Sequence, residues 1–69
     1  MEIKISQRIY ELMKEQNLTQ TKLANALGMH QSNVSEWLSG KKEPSITSLW
    51  LLADFFNVDV DYLIGRKEY

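Results

Sequence analysis

Apolar residues recur at helical spacing in short segments along this chain, and residues that end helices stand between the segments. In the first segment, Ile5, Ile9, Leu12 and Met13 fall on one stripe of a helix, and Asn17 is the predicted stop. The alternation of apolar and polar residues that is typical of strands is absent. The pattern therefore predicts an all-α chain of five short helices.

The second and third helices are predicted to be separated by only two residues. Thr19 is a suitable N-cap for the second helix and Gly28 a suitable end, since glycine adopts the left-handed backbone at little cost. The third helix is expected from near Gln31 to Gly40. Ala24 is small enough for the two helices to cross closely. The residues expected to fill the angle between them are Leu23, Leu27, Met29, Val34 and Trp37.

Two more helices are predicted after the loop at 41–44. Ser45 and Asp59 are their expected N-caps, and Gly65 is the expected end of the fifth. Leu51 and Phe55 do not fit the inner stripe of the fourth helix, so we expect them to form a subunit contact in a homodimer. The residues expected in the core or at its boundary are Ile46, Leu49, Trp50, Leu52, Ala53, Phe56, Val60, Tyr62, Leu63 and Ile64.

Length and composition narrow the functional classes. A chain of 69 residues suits one domain, here 1–69, and the absence of cysteine excludes disulfides and thiolate zinc sites. Neither a signal peptide nor a membrane span is visible, so we expect a cytoplasmic protein. His30 is the only histidine and has no second ligand nearby. With no nucleophile set, metal cluster or phosphate loop, the sequence predicts neither an enzyme nor a cofactor, and no small-molecule substrate is evident.

Charge is distributed unevenly although the net charge is only −1. Residues 1–16 are balanced, residues 17–42 are net positive, and residues 43–69 are net negative. This polarity suits a domain with one face on phosphate and another turned away from it.

The outer side of the third helix is the candidate functional face. If Val34 faces the core, a rotation of about 100° per residue places Ser32, Ser35, Glu36 and Ser39 on the opposite side, with Gln31 at its beginning. Small hydroxyl and amide side chains suit close approach to base edges in a major groove.

The segment LTQTKLANALGMHQSNVSEWLSGKKEPS resembles the Cro/cI-type helix-turn-helix family of phage repressors and their bacterial relatives. SLWLLADFFNVDVDYLIG resembles the last two helices of that family, so the likeness runs from about Ile5 to Gly65. The matching positions are Thr19, Gln20, Leu23, Ala24, Gly28, Gln31, Ser32, Val34, Ser35, Trp37, Gly40, Pro44 and Ser45. The resemblance implies a lambda-repressor-like DNA-binding domain, encoded by a bacterium or phage, that represses or otherwise regulates transcription at operator DNA.

The family's DNA contacts transfer to individual positions. The resemblance implies base contacts for Gln31, Ser32 and Glu36, to which the free face adds Ser35. The residues expected at phosphates are Gln20, His30, Asn33, Ser39 and Lys41, with Lys42 added by its place in the following loop.

Three positions depart from the family pattern. Glu36 stands where a basic residue or glutamine is common, and its carboxylate would either accept from a cytosine amino group or repel phosphate. His30 replaces a capping hydroxyl, so the cap of the third helix should be weaker. Met13 and Leu38 replace a buried arginine–glutamate pair by an apolar contact. A protein-interaction module of the antitoxin or adaptor kind remains the alternative, favoured by the near-neutral charge and Glu36.

Overall fold

The computed structural model describes residues 2–68, and its regular elements are all α-helices. They are α1 Ile5–Glu15, α2 Gln20–Leu27, α3 Gln31–Ser39, α4 Ile46–Phe56 and α5 Val60–Ile64. The predicted all-α architecture of five short helices is confirmed, and α2 and α3 form the predicted helix-turn-helix. None of these helices is long and apolar enough to cross a bilayer.

The starts of α2, α3 and α4 follow the sequence prediction. The Thr19 hydroxyl accepts the N–H of Lys22 at 3.1 Å, and the Ser45 hydroxyl accepts the N–H of Ser48 at 3.1 Å. His30 precedes α3 without a side-chain cap, as its missing hydroxyl predicted.

Asp59 occupies the N-cap position of α5, but its carboxylate makes no capping hydrogen bond. It accepts instead from Lys67 Nζ at 2.6 Å. The prediction that the Asp59 side chain caps α5 is therefore wrong, because a lysine returning after the helix binds the same carboxylate.

Gly28 makes the bend between α2 and α3. Its φ of +70° is left-handed, and the N–H of Met29 donates to the carbonyl of Ala24 at 3.0 Å, which closes the end of α2. Such a bend favours glycine because a Cβ atom disfavours this backbone. The predicted stop at Asn17 also adopts a left-handed backbone, with φ of +55°.

The core lies between α1, the α2–α3 pair and the two last helices. The hydroxyl of Ser6 donates to the carbonyl of Trp37 and ties α1 to α3. Leu27 and Met29 are partly buried against the core, as expected for the angle between α2 and α3. The buried apolar residues are Ile5, Ile9, Leu12, Met13, Leu23, Ala24, Val34, Trp37, Leu52, Phe56 and Leu63.

Three residues predicted on the core side of the last helices are exposed. Ile46 is 86% exposed, Trp50 73% and Val60 37%. The core-facing stripe of α4 consists of Leu49, Leu52, Ala53 and Phe56. Ile46 and Trp50, four residues apart, share a flank that no described residue covers. Val60 is at the first turn of α5, where only Leu63 is fully buried. Tyr62 lies at the core boundary, as predicted.

Arg8 is a buried charge that the sequence did not indicate. It is only 7% exposed, and its guanidinium lies 4.5 Å from the centroid of the Tyr62 ring. The same group donates to the carbonyl of Lys67 at 3.3 Å and pairs with Glu68 at 3.4 Å. Arg8 thereby holds the segment after α5 against α1.

Candidate nucleic-acid interface

The outer face of α3 comprises Gln31, Ser32, Ser35, Glu36 and Ser39. Four of these side chains are exposed, and the fifth, that of Glu36, is 28% exposed. The face is exposed because Val34 and Trp37 on the opposite side are buried, which fixes the rotation of the helix about its axis. The predicted orientation of α3 is therefore confirmed.

Gln31 and Gln20 meet at the beginning of the outer face. The Gln31 Nε2 atom donates to Gln20 Oε1 at 3.4 Å, across the bend between α2 and α3. This hydrogen bond uses one amide N–H of Gln31. Its carbonyl oxygen and its other N–H stay available, and that donor–acceptor pair matches the N7 and N6 atoms of adenine.

The other end of the outer face is held by the chain that follows α3. Lys42 Nζ lies 3.8 Å from Glu36 Oε2. The Ser39 hydroxyl donates to the Glu36 carbonyl at 3.1 Å and accepts the N–H of Lys41 at 3.3 Å. Glu36, Ser39, Lys41 and Lys42 thus form one polar cluster where α3 ends.

The remaining residues predicted at phosphates lie around the same face. His30 is exposed immediately before α3, and Asn33 is partly exposed in its first turn, where its N–H donates to the His30 carbonyl at 3.1 Å. Gln20 is partly exposed at the start of α2. Leu51 and Phe55 lie elsewhere, on α4, and are 36% and 38% exposed.

A groove of about 590 Å³ between α1 and the start of α2 adds two residues that sequence reasoning missed. Tyr10 and Lys14 line it together with Gln20, Met13 and Leu38. Both polar side chains are exposed on α1. The sequence carried no signal for this neighbourhood, because it depends on the angle at which α1 meets α2. Met13 and Leu38, which stand where the family has a buried arginine–glutamate pair, line this groove together, as the predicted apolar contact implied.

Comparison with known proteins identifies the family. A helix-turn-helix family model matches residues 9–63. The chain is 33% identical over 66 residues to the HTH-type transcriptional activator BcrR of Enterococcus faecalis, covering 96% of this chain and 32% of that protein. It is 36% identical over 61 residues to the HTH-type transcriptional regulator AnsR of Bacillus subtilis, covering 88% and 53%. The chain thus spans between a third and about half of these relatives.

A solved structure of a transcriptional regulator from Listeria innocua has the same fold. Its TM-score to this chain is 0.88 at 28% identity, over 94% of this chain and 61% of that one. Two phage-borne proteins, one of them a transcriptional repressor, are also similar in sequence. These matches agree with the resemblance of residues 18–45 to the Cro/cI-type helix-turn-helix family. The chain belongs to the helix-turn-helix family.

Proposed function

We propose that this chain binds double-stranded DNA by placing the outer face of α3 in a major groove, and that it regulates transcription through that binding. The observation that carries the proposal is the exposed, polar and mostly uncharged outer face of α3, with Gln20 at one end and Lys41 and Lys42 at the other. A major groove admits one α-helix, and base edges there present donors and acceptors to short polar side chains.

The residues divide into two roles in this proposal. Gln31, Ser32, Ser35 and Glu36 contact base edges, because they occupy the centre of the outer face. The residues that contact phosphates and set the orientation of α3 surround that centre: Gln20, His30, Asn33, Ser39, Lys41 and Lys42. Lys14 and Tyr10 extend this phosphate-contacting rim through the groove that they share with Gln20.

Repression is the direction of regulation that we propose. A helix bound in the groove of a promoter blocks the access of polymerase to that promoter. The similarity to a phage transcriptional repressor supports this choice. The relatives named above are regulators of transcription, and we propose no catalytic role for this chain. Because a regulator of this kind works at the chromosome, we propose that this chain acts in the cytoplasm.

We also propose a homodimer on DNA, with Leu51 and Phe55 in the contact between subunits. Their partial exposure on one flank of α4 supports this role, and Phe55 is braced edge-on against Phe56 at a centroid distance of 5.0 Å. Two copies would read two half-sites about one helical turn apart. Light scattering of the free chain and of its DNA complex tests this. A monomer in both states would contradict it, whereas Leu51→Glu should abolish dimers on DNA.

Binding to mixed genomic fragments at several salt concentrations tests the proposed function. A dimer that contacts several phosphates should lose affinity with a log–log slope of roughly −4 to −8, because binding releases condensed counterions. A protein-interaction module, the alternative favoured by the net charge of −1, would show almost no binding and no slope.

A further inference from the structure

Glu36 and Lys42, two side chains of opposite charge in the proposed interface, form an ion pair at 3.8 Å. We propose that this pair holds Lys42 away from phosphate until Glu36 accepts a hydrogen bond from the amino group of a cytosine. Contact of Lys42 with the phosphate backbone of the DNA then depends on the base sequence. The inference rests on the proposed function and adds to it one base preference and its mechanism.

The backbone keeps the two side chains together. The N–H groups of Lys41 and Lys42 both donate to the carbonyl of Glu36, at 3.0 and 3.3 Å. The chain therefore turns back on Glu36 directly after α3, with Gly40 left-handed at φ of +78°. Lys42 Nζ lies 3.8 Å from the Glu36 carboxylate for this reason, and rotation of either side chain is enough to separate the two charges.

The pair is weak enough to exchange partners. The Lys42 side chain is 69% exposed, so water screens its attraction to Glu36. Lys41, the neighbouring cation, has no acidic partner among residues 2–68. The loop thus presents one cation that is available at all times and one that is held by an acid.

DNA offers a new partner to each member of the pair. Cytosine presents its N4 amino group as a donor in the major groove, and a carboxylate is the side-chain group that accepts from it. Once Glu36 is bound there, Lys42 is released to a phosphate. On a sequence without that cytosine, Glu36 keeps Lys42, because a carboxylate left unpaired near phosphates is repelled by them.

Salt dependence measures the release of Lys42 directly. Each phosphate neutralised by a cation adds about 0.9 to the log–log slope. Lys42→Met should therefore flatten the slope by about one per subunit on a site selected from random duplexes, and by much less on a shuffled duplex of the same length. In the Glu36→Gln background, the same change should flatten the slope equally on both duplexes.

Two neighbouring residues give matched controls. Lys41→Met should flatten the slope by about one per subunit on both duplexes, because its cation has no acid to release it. Glu43→Gln removes a loop carboxylate that is not paired with Lys42, and it should leave both the slope and the base preference unchanged. All four positions are outside the core, and circular dichroism verifies that each variant is helical.

Site selection supplies the second measurement. The unmodified chain should enrich cytosine at one base pair per half-site, and Glu36→Gln should replace that preference by adenine, with a change of roughly tenfold or more. Two results would overturn the inference and leave the proposed function standing. One is that Lys42→Met flattens the slope equally on both duplexes. The other is that the selected sites show no cytosine preference that depends on Glu36. Absence of any salt-dependent DNA binding by the unmodified chain would overturn the proposed function, and the inference with it.

Discussion

Among the residues of the outer face of α3, Gln31 has the surroundings best suited to contact with a base. Its amide donates to Gln20 at 3.4 Å, and one N–H and the carbonyl oxygen remain for a base edge. The two residues come from different helices, and their meeting depends on the bend at Gly28. A substitution at Gln31 should therefore affect sequence preference more than it affects stability.

Replacing Gln31 by alanine is expected to weaken binding to a selected site by about 1–3 kcal/mol and to relax preference at one base pair. The reason is that the variant loses the proposed bidentate contact to adenine and keeps the proposed phosphate contacts. Fluorescence anisotropy with a set of single-base variants measures both effects. Gln7→Ala makes the same exchange on the exposed side of α1 and should leave binding unchanged. Loss of affinity without relaxed preference would contradict base contact by Gln31.

At the level of elements, the pair α2 and α3 is held by apolar packing in the angle between the helices. Leu23 and Val34 have no exposed surface, and Ala24 has almost none. This packing buries one side of α3 and so determines which side is left outward. The same contacts therefore stabilise the fold and position the candidate interface.

Leu23→Ala should lower the free energy of unfolding by about 2–5 kcal/mol, because truncation of a fully buried leucine leaves a cavity that neighbours only partly fill. Leu51→Ala, at a position that is 36% exposed, should cost clearly less. Urea denaturation followed by circular dichroism compares the two variants. Similar losses at both positions would contradict the packing described for α2 and α3.

Gly28→Ala tests the bend itself. An added Cβ at Gly28 meets no atom within 4 Å, so the expected loss of about 1–2 kcal/mol comes from the left-handed backbone alone. Gly28→Asn should cost less, since asparagine adopts this conformation at Asn17 and Asn57. Thermal unfolding of both variants ranks them. An alanine variant as stable as the unmodified chain would show that the bend does not require the left-handed conformation.

The segment after α5 is bound to the start of that helix by an ion pair. The hydrogen bond from Lys67 to Asp59, assisted by the charges of Asp59 and Asp61, raises the pKa of Lys67 above its ordinary value. A raised pKa in the folded state gives stability that is fully present below the ordinary lysine pKa of about 10.4 and is lost as pH rises through the folded value. Side-chain NMR titration should show this raised pKa.

Asp59→Asn should return the Lys67 titration toward the ordinary lysine range, whereas Asp54→Asn, on α4, should not change it. A Lys67 that titrates in the ordinary range in the unmodified chain would contradict the ion pair.

At the level of the whole molecule, the sequence predicted the features that are decided by residues close together in the chain. The spacing of apolar residues predicted the helices, and Thr19, Ser45 and Gly28 predicted their ends, because caps and left-handed turns are decided within a few residues. The outer face of α3 followed once Val34 was assigned to the core.

What the sequence did not indicate depends on distant contacts. Trp50 and Ile46 satisfy a helical stripe, yet no described element covers their flank of α4. Arg8 looked like one of several surface charges, and only the return of the chain after α5 buries it against Tyr62. The groove that brings Lys14 to Gln20 likewise depends on the angle between two helices.

Backbone amide NMR of the chain titrated with a selected duplex tests whether the outer face of α3 binds a DNA groove. We expect the largest shift changes over Gln31–Ser39, with smaller changes at Gln20, Lys41 and Lys42. Binding that leaves the amides of α3 unchanged, with the shifts confined to α4 and α5, would contradict it.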